Sequence, residues 1–188
     1  LISIPWNWDA PIRLDDSTYY RLGRVQSNGK ELTIASGYGL RMGPVPAAIL
    51  ASKFAALLRP RLIGLLGICA GVRGMVNLGD IIAASEVWNW EAGKAVGPAN
   101  AFSPEPLTVN VSDPVLARLH QLSEDRGWLD SVKAGYRGNK PSESLSLHIG
   151  PIASGNPVIA DSSITDRIRA VNRKTIGIEM EGFGALYA

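Results

Sequence analysis

Hydrophobic and polar positions along the chain fall into strand-like and helix-like blocks, and the densest apolar block lies at its middle. From Leu62 to Ala84 the sequence reads LIGLLGICAGVRGMVNLGDIIAA. Its first part, Leu62 to Ile68, is a continuous apolar run too short for a buried helix, and Asp80–Ala84 is a second. Both predict central strands covered on two faces. Glycines at 67, 71, 74 and 79 lie in and between these runs. They serve either a plain turn that needs positive φ or a bare backbone that a flat ligand can approach, and the two readings stand level. Neither GxxxxGK[ST] nor GxGxxG occurs here, which removes two common phosphate-binding loops.

Around this centre the pattern alternates. Thr18–Gln26 and Glu31–Ser36 are strand-like, and the Asn28-Gly29 pair between them predicts a hairpin. Val45 to Leu58 predicts a helix with prolines confined to its start, and Ile49, Leu50, Phe54, Leu57 and Leu58 form a broad face expected to lie on a sheet. Strand, helix and strand in that order predict a βαβ crossover and parallel pairing. Ser85–Trp90 continues a strand, Glu91–Pro106 reads as a loop, and Asp113-Pro114 opens a helix to about Arg126. Trp128–Ser142 is polar and broken by Gly and Pro. Leu145–Ile149 and Val158–Ala160 read as strands, and Ser163 with Asp166 as a capping box for a helix to Asn172. Thr175–Ile178 is a last strand, with a helix from Glu179. The opening segment Leu1–Asp16 has no period, and its Trp6 and Trp8 are expected to pack on the domain.

Composition narrows the class. At 188 residues, 46% hydrophobic and 19% charged, the chain has the size and make-up of one folded domain. A net charge of +2 with dispersed basic residues argues against nucleic acid as a partner. The lone cysteine, Cys69, falls in the apolar stretch, where a buried thiol acts as a small hydrophobe, and this favours a reducing compartment. Neither a membrane span nor a signal peptide is read from the sequence, so a cytoplasmic location is expected. The chain starts without Met and stops at Ala188 just inside a promising helix, and it is read as part of something longer.

Candidate chemistry lies where the last strand turns into a helix, at Ile178-Glu179-Met180-Glu181-Gly182. Ligands of open α/β sheets sit outside the carboxyl ends of strands, so acids at this junction are placed to accept hydrogen bonds from sugar hydroxyls. Acids in a first helical turn also simply complement the helix dipole.

Four segments carry a resemblance: Leu66–Val72 (LGICAGV), Asn77–Ile82 (NLGDII), Gly150–Gly155 (GPIASG) and Gly177–Gly182 (GIEMEG). Together, in this order, they resemble the purine nucleoside phosphorylase and uridine phosphorylase superfamily, nearest its 5′-methylthioadenosine/S-adenosylhomocysteine nucleosidase branch. The resemblance runs over nearly the whole chain from about Tyr20. It implies a three-layer α/β/α domain around a mixed, partly barrel-like sheet, usually oligomeric, that cleaves the N-glycosidic bond of a nucleoside without metal or organic cofactor.

Carried onto these residues, the resemblance implies that Glu181 binds the ribose 2′- and 3′-hydroxyls and stabilises the oxocarbenium-like sugar. Met180 would pack under the ring, and Glu179 would help fix the attacking water. Cys69, Ala70 and Gly71 would line base and ribose, and Val158 with Ile159 would contact the purine. Relatives often have an aromatic residue where Val158 stands, so weaker stacking is expected. The family's acid, an Asp on a later strand that protonates purine N7, has no counterpart in this sequence, and the chain as given is expected to lack it. Phosphorylase relatives hold phosphate at positions occupied here by Leu65 and Ile68, which cannot bind it, so hydrolysis is the expected reaction.

The two Trp-Asn-Trp segments and the loop Cys69–Gly74 (CAGVRG) also resemble a bacterial subgroup often attached to signalling domains. Some of its members act in phage defence and cleave ATP. The expected substrate is therefore an adenine nucleoside or nucleotide. Arg41 and Arg73 are candidate contacts to a 5′-phosphate chain, or plain surface arginines. The rival readings are a phosphate-dependent phosphorylase and a non-catalytic nucleoside-binding module.

Overall fold

The computed structural model describes residues 6–96, 101–159 and 161–188. Strands β1 (Ile12–Arg13), β2 (Tyr19–Ser27) and β3 (Lys30–Gly37) form one antiparallel sheet in that order. The Asn-Gly pair makes the expected hairpin: Ser27 faces Lys30, and Asn28 and Gly29 take φ of 50° and 72°. Positive φ at both central residues is the turn whose twist suits a hairpin. Helix α1 (Pro44–Leu58) then leads to β4 (Ala70–Gly71), β5 (Ile81–Asn89), β6 (Gly93–Val96), β7 (Ala101–Pro104) and β8 (Leu107–Asn110). Helices α2 (Asp113–Glu124) and α3 (Arg126–Gly135), strand β9 (Leu147–Ser154), helix α4 (Ser162–Val171), strand β10 (Gly177–Glu179) and helix α5 (Gly182–Tyr187) follow.

The main sheet has the order β4-β10-β9-β5-β8. β5, β9 and β10 run parallel, and the edge strands β4 and β8 are antiparallel to their neighbours. Side chains alternate across it, so helices cover both faces. On one side Trp88, Ala153 and Ile178 pack with Ile168 of α4, and Leu147 with Leu129 of α3. On the other, Val87 and Ile152 pack with Phe183 of α5. An irregularity between Ala84 and Val87 shifts the register, which lets Ala84 and Val87 share a face three positions apart. Burying each such Leu, Ile or Phe stabilises the layers by roughly 1.5–3 kcal/mol. The α/β/α layering and mixed sheet agree with the expected class; among the described residues the sheet is open, not a closed barrel.

Several expectations are corrected. Leu62–Ile68 is not a central strand: only Ala70–Gly71 pairs, and Leu66 and Ile68 are 72% and 97% exposed. The flanks of β9 and β5 are already taken by β10 and β8, so the apolar run finds no ladder among the described residues. The crossover βαβ unit fails for the same reason, since β2 and β3 belong to their own sheet. Helix α1 lies on α5 and, through Phe54, against the small antiparallel sheet rather than the main one, with Ala51 buried while Ile49 and Leu57 stay exposed. Phe54 packs edge-on to Tyr20.

The loop expected over Glu91–Pro106 contains the β6–β7 hairpin; its Gly97 and Pro98 lie outside the described residues. Polar Trp128–Ser142 contains most of α3, whose N-cap Asp125 accepts a hydrogen bond from Trp128 N. The strand at Leu145–Ile149 starts at Leu147 and runs on to Ser154. Val158 and Ile159 are not strand, and Ala160 lies outside the described residues. Helix α4 is capped by Asp161, which accepts from Ser163 N and Oγ, so the capping box at Ser163 does not form. The tryptophans behave as expected: Trp8 lies on Gly23 of β2 and tilts against Trp6.

Candidate functional site

The parallel strands end in register. Asn89 of β5 faces Ser154 of β9, and Ser154 faces Glu179 of β10, so three polar residues stand side by side at the carboxyl edge of the sheet. Ser154 is fully buried, and its Oγ accepts a hydrogen bond from Phe183 N at 3.1 Å. Gly155 N donates to the Glu179 carbonyl and Trp90 N to the Ser154 carbonyl, which knits the loop after β9 to both neighbouring strands.

Glu179 folds back on the turn that follows it. Its Oε2 accepts from Glu181 N and Gly182 N, each at 2.6 Å, so one carboxylate oxygen gathers two amides at the start of α5. A Cβ on Gly182 would sit 2.9 Å from Glu179 Oε1, so glycine permits the fold-back. That Oε1 is buried and has no hydrogen-bond donor among the described residues. A buried carboxylate oxygen without a donor is costly, and a hydroxyl or water donor satisfies it.

Glu181, at the N-cap of α5, is half-buried, and its Oε1 accepts from Gly43 N at 2.9 Å. No hydrogen bond reaches its Oε2 among the described residues. Met180, between the two acids, is also half-buried.

The small residues lie beside this turn. β4 pairs with β10 so that Ala70 faces Ile178 and Gly71 faces Gly177, and Val72 N donates to the Ile176 carbonyl. Cys69, just before β4, lies close enough to Glu179 to feel its charge. A Cβ on Gly177 would lie 3.5 Å from Cys69 Sγ. The residue is exposed rather than buried as expected, yet partial burial of the sulfur, and then the negative charge of Glu179, push the thiol pKa up.

The loop after β9 is braced from outside. Trp90 lies against the Gly155 backbone, Asn156 N donates to the Glu91 carboxylate, and Asn156 Oδ1 reaches the Cα of Gly43 closely enough that a Cβ there would meet it at 2.8 Å. Beyond it, Val158 is 73% exposed, while Ile159 packs on the Trp88 cluster. Arg41 and Arg73 are exposed, and their side chains make no hydrogen bond or ion pair among the described residues.

Of the residues singled out from sequence, Ala70 and Gly71 pair with Ile178 and Gly177, directly before the acids, and Cys69 lies near enough to Glu179 to feel its charge. Val158 and Ile159 follow the carboxyl end of the neighbouring strand, with Val158 turned to solvent. Gly43, Ser154 and Asn156 were not singled out. Gly43 carries a readable signal, a glycine directly before Pro-x-Pro at a helix start, although its partner lies 138 positions away. Among the described residues no group of three or more His, Cys, Asp or Glu could hold a metal ion, and no helix is long and apolar enough to cross a membrane.

Comparison with known proteins places the chain. Residues 12–188 match the family model of the phosphorylase superfamily, and the chain belongs to that family. Protein y4jS of Sinorhizobium fredii is 33% identical over 79% of this chain and 36% of its own length. A 5′-methylthioadenosine/S-adenosylhomocysteine nucleosidase of Maridesulfovibrio salexigens is 28% identical over 87% of this chain and 62% of its own length. The ATP nucleosidase Cap17 of Escherichia coli is 24% identical over 78% of this chain and 31% of its own length. The chain thus spans less than two thirds of each of these relatives. The crystal structure of a 5′-methylthioadenosine/S-adenosylhomocysteine nucleosidase from Colwellia psychrerythraea, in complex with adenine, shares the fold, with a TM-score of 0.68 at 18% identity over 96% of this chain and 66% of that one.

Proposed function

We propose that the chain is a nucleosidase domain that hydrolyses the N-glycosidic bond of an adenine nucleoside or nucleotide. The observation that carries this reading is the half-buried Glu181 at the carboxyl edge of the parallel strands, with one oxygen anchored on Gly43 and the other without a donor among the described residues. Nucleosidases among its relatives, one acting on methylthioadenosine and one on ATP by name, support the same chemistry.

In this reading Glu181 accepts hydrogen bonds from the ribose hydroxyls. As the C1′–N9 bond lengthens, positive charge grows on the sugar, and a carboxylate held against the hydroxyls stabilises the transition state more than the ground state. Glu179 Oε1 accepts a hydrogen bond from the attacking water, which supplies the donor this oxygen lacks. Ala70 and Gly71 bring bare backbone to the ring, Met180 packs under it, and Ile159 with the more exposed Val158 borders the purine. The electron pair of the broken bond leaves with adenine, which takes up a proton, while water adds hydroxide to C1′ and releases one, so that neutral adenine and free sugar result.

The test is adenine release from 5′-methylthioadenosine, S-adenosylhomocysteine and ATP, with and without phosphate, by a protein carrying this chain together with any native sequence that flanks it. Release independent of phosphate and strongly reduced in Glu181→Gln supports the reading. Sugar 1-phosphate formed only with phosphate replaces hydrolysis by phosphorolysis. Nucleoside binding without adenine release reduces the domain to a binding module.

A further inference from the structure

We propose that Gly43 is a positioning residue for Glu181: its main-chain N–H fixes the plane of the carboxylate and so selects which oxygen meets the sugar. The proposal rests on the reading of Glu181 as the sugar-binding carboxylate. Gly43 is buried at φ 107°, ψ 165°, a conformation that residues with a Cβ rarely adopt. It is the N-cap of α1 and has no side chain to cap with, while Pro44 and Pro46 bring no N–H to the first turn. The amide of Gly43 itself points at Glu181 Oε1.

Two contacts hold this bend. The Pro44 backbone presses on Gly184 so closely that any Cβ at 184 would run into the Pro44 carbonyl. Asn156 Oδ1 fills the space where a Cβ of Gly43 would be, and the Asn156 backbone is tied to Glu91. Gly43 therefore links α5, which begins at the sugar carboxylate, to the loop that leads to Val158 and Ile159. A shift of the bend moves both together. Misplacement of a binding group by about 1 Å can cost 10²-fold in rate, so the bend tunes recognition of the ribose diol without touching the ligand.

Two readouts test it. In the ¹⁵N-labelled protein, Glu181→Ala, which removes the acceptor, should move the Gly43 amide proton upfield. A Gly43 amide proton unmoved in folded Glu181→Ala overturns the proposal. The second compares kcat/KM for 5′-methylthioadenosine and its 2′-deoxy analogue. Gly184→Ala and Gly43→Ala, shown to be folded by circular dichroism, should lose about tenfold or more on the ribose substrate with little change on the deoxy one. Folded variants that keep the wild-type ratio overturn the proposal. Glu181→Gln that keeps that ratio instead sinks the reading of Glu181 itself, whatever the glycine variants do.

Discussion

The carboxylate of Glu181 accepts a hydrogen bond from the main-chain N–H of Gly43 at 2.9 Å, across 138 positions of sequence. Neither residue has a role in the other's secondary structure. The bond ties the start of a helix that leaves the small antiparallel sheet to the start of a helix that leaves the main one, and it does so at the carboxyl edge of the parallel strands. Much of the account can be tested from the contacts around this point.

Cys69 reports on Glu179. Partial burial and the carboxylate charge both disfavour the thiolate, so the thiol pKa is raised. Alkylation by iodoacetamide at pH 8 should be slow and rise with pH. Glu179→Gln removes the negative charge, lowers the pKa and should speed alkylation at fixed pH; binding of an adenine nucleoside should slow it. A rate unchanged by Glu179→Gln contradicts the placement of the thiol beside this carboxylate.

Below the site, Trp88 Nε1 donates to Thr175 Oγ1 at 3.1 Å, and both side chains are fully buried. Thr175→Val keeps the shape and leaves the indole N–H unpaired, which costs about 1–3 kcal/mol. Thr175→Ser keeps the acceptor and should lose less. Urea unfolding of the two variants measures the difference.

At the opposite end of the sheet, Asp80 accepts from Asn77 N, Ser146 N and His148 Nε2. Burial alone would raise its pKa, but the hydrogen bonds from Asn77, His148 and Ser146 outweigh it and hold the carboxyl below its ordinary value. A depressed folded pKa contributes stability that is present above the unfolded value of about 3.9 and is lost as pH falls through the folded one. Asp80→Asn should therefore be less stable than the wild type at neutral pH, with the gap closing as the solution is acidified below that value. Urea midpoints measured as a function of pH give the comparison; a gap independent of pH would contradict it.

What could be read from sequence was local. Asn28-Gly29 specifies its own hairpin because two adjacent residues must take positive φ, and the acids at the end of β10 and just after it announce themselves because they close a buried strand. Leu62–Ile68 misleads because an apolar run records what favours burial, not which neighbour is there to pair with it. Helix α3 is obscured by Gly127 and Gly135 near its ends, though Leu129 is fully buried within it. The links that assemble the site, Gly43 to Glu181, Ser154 to Phe183 and Asn156 to Glu91, join residues far apart in the chain. No periodicity connects them.

The central claim, that Glu181 grips the sugar during bond cleavage, is tested most directly by the rate of adenine release in Glu181→Gln. The substitution keeps an oxygen for Gly43 N but removes the charge facing the sugar. The account predicts a fall in kcat of about 10²–10³-fold with the thermal midpoint nearly unchanged. Adenine release at the wild-type rate by a folded Glu181→Gln protein would contradict it.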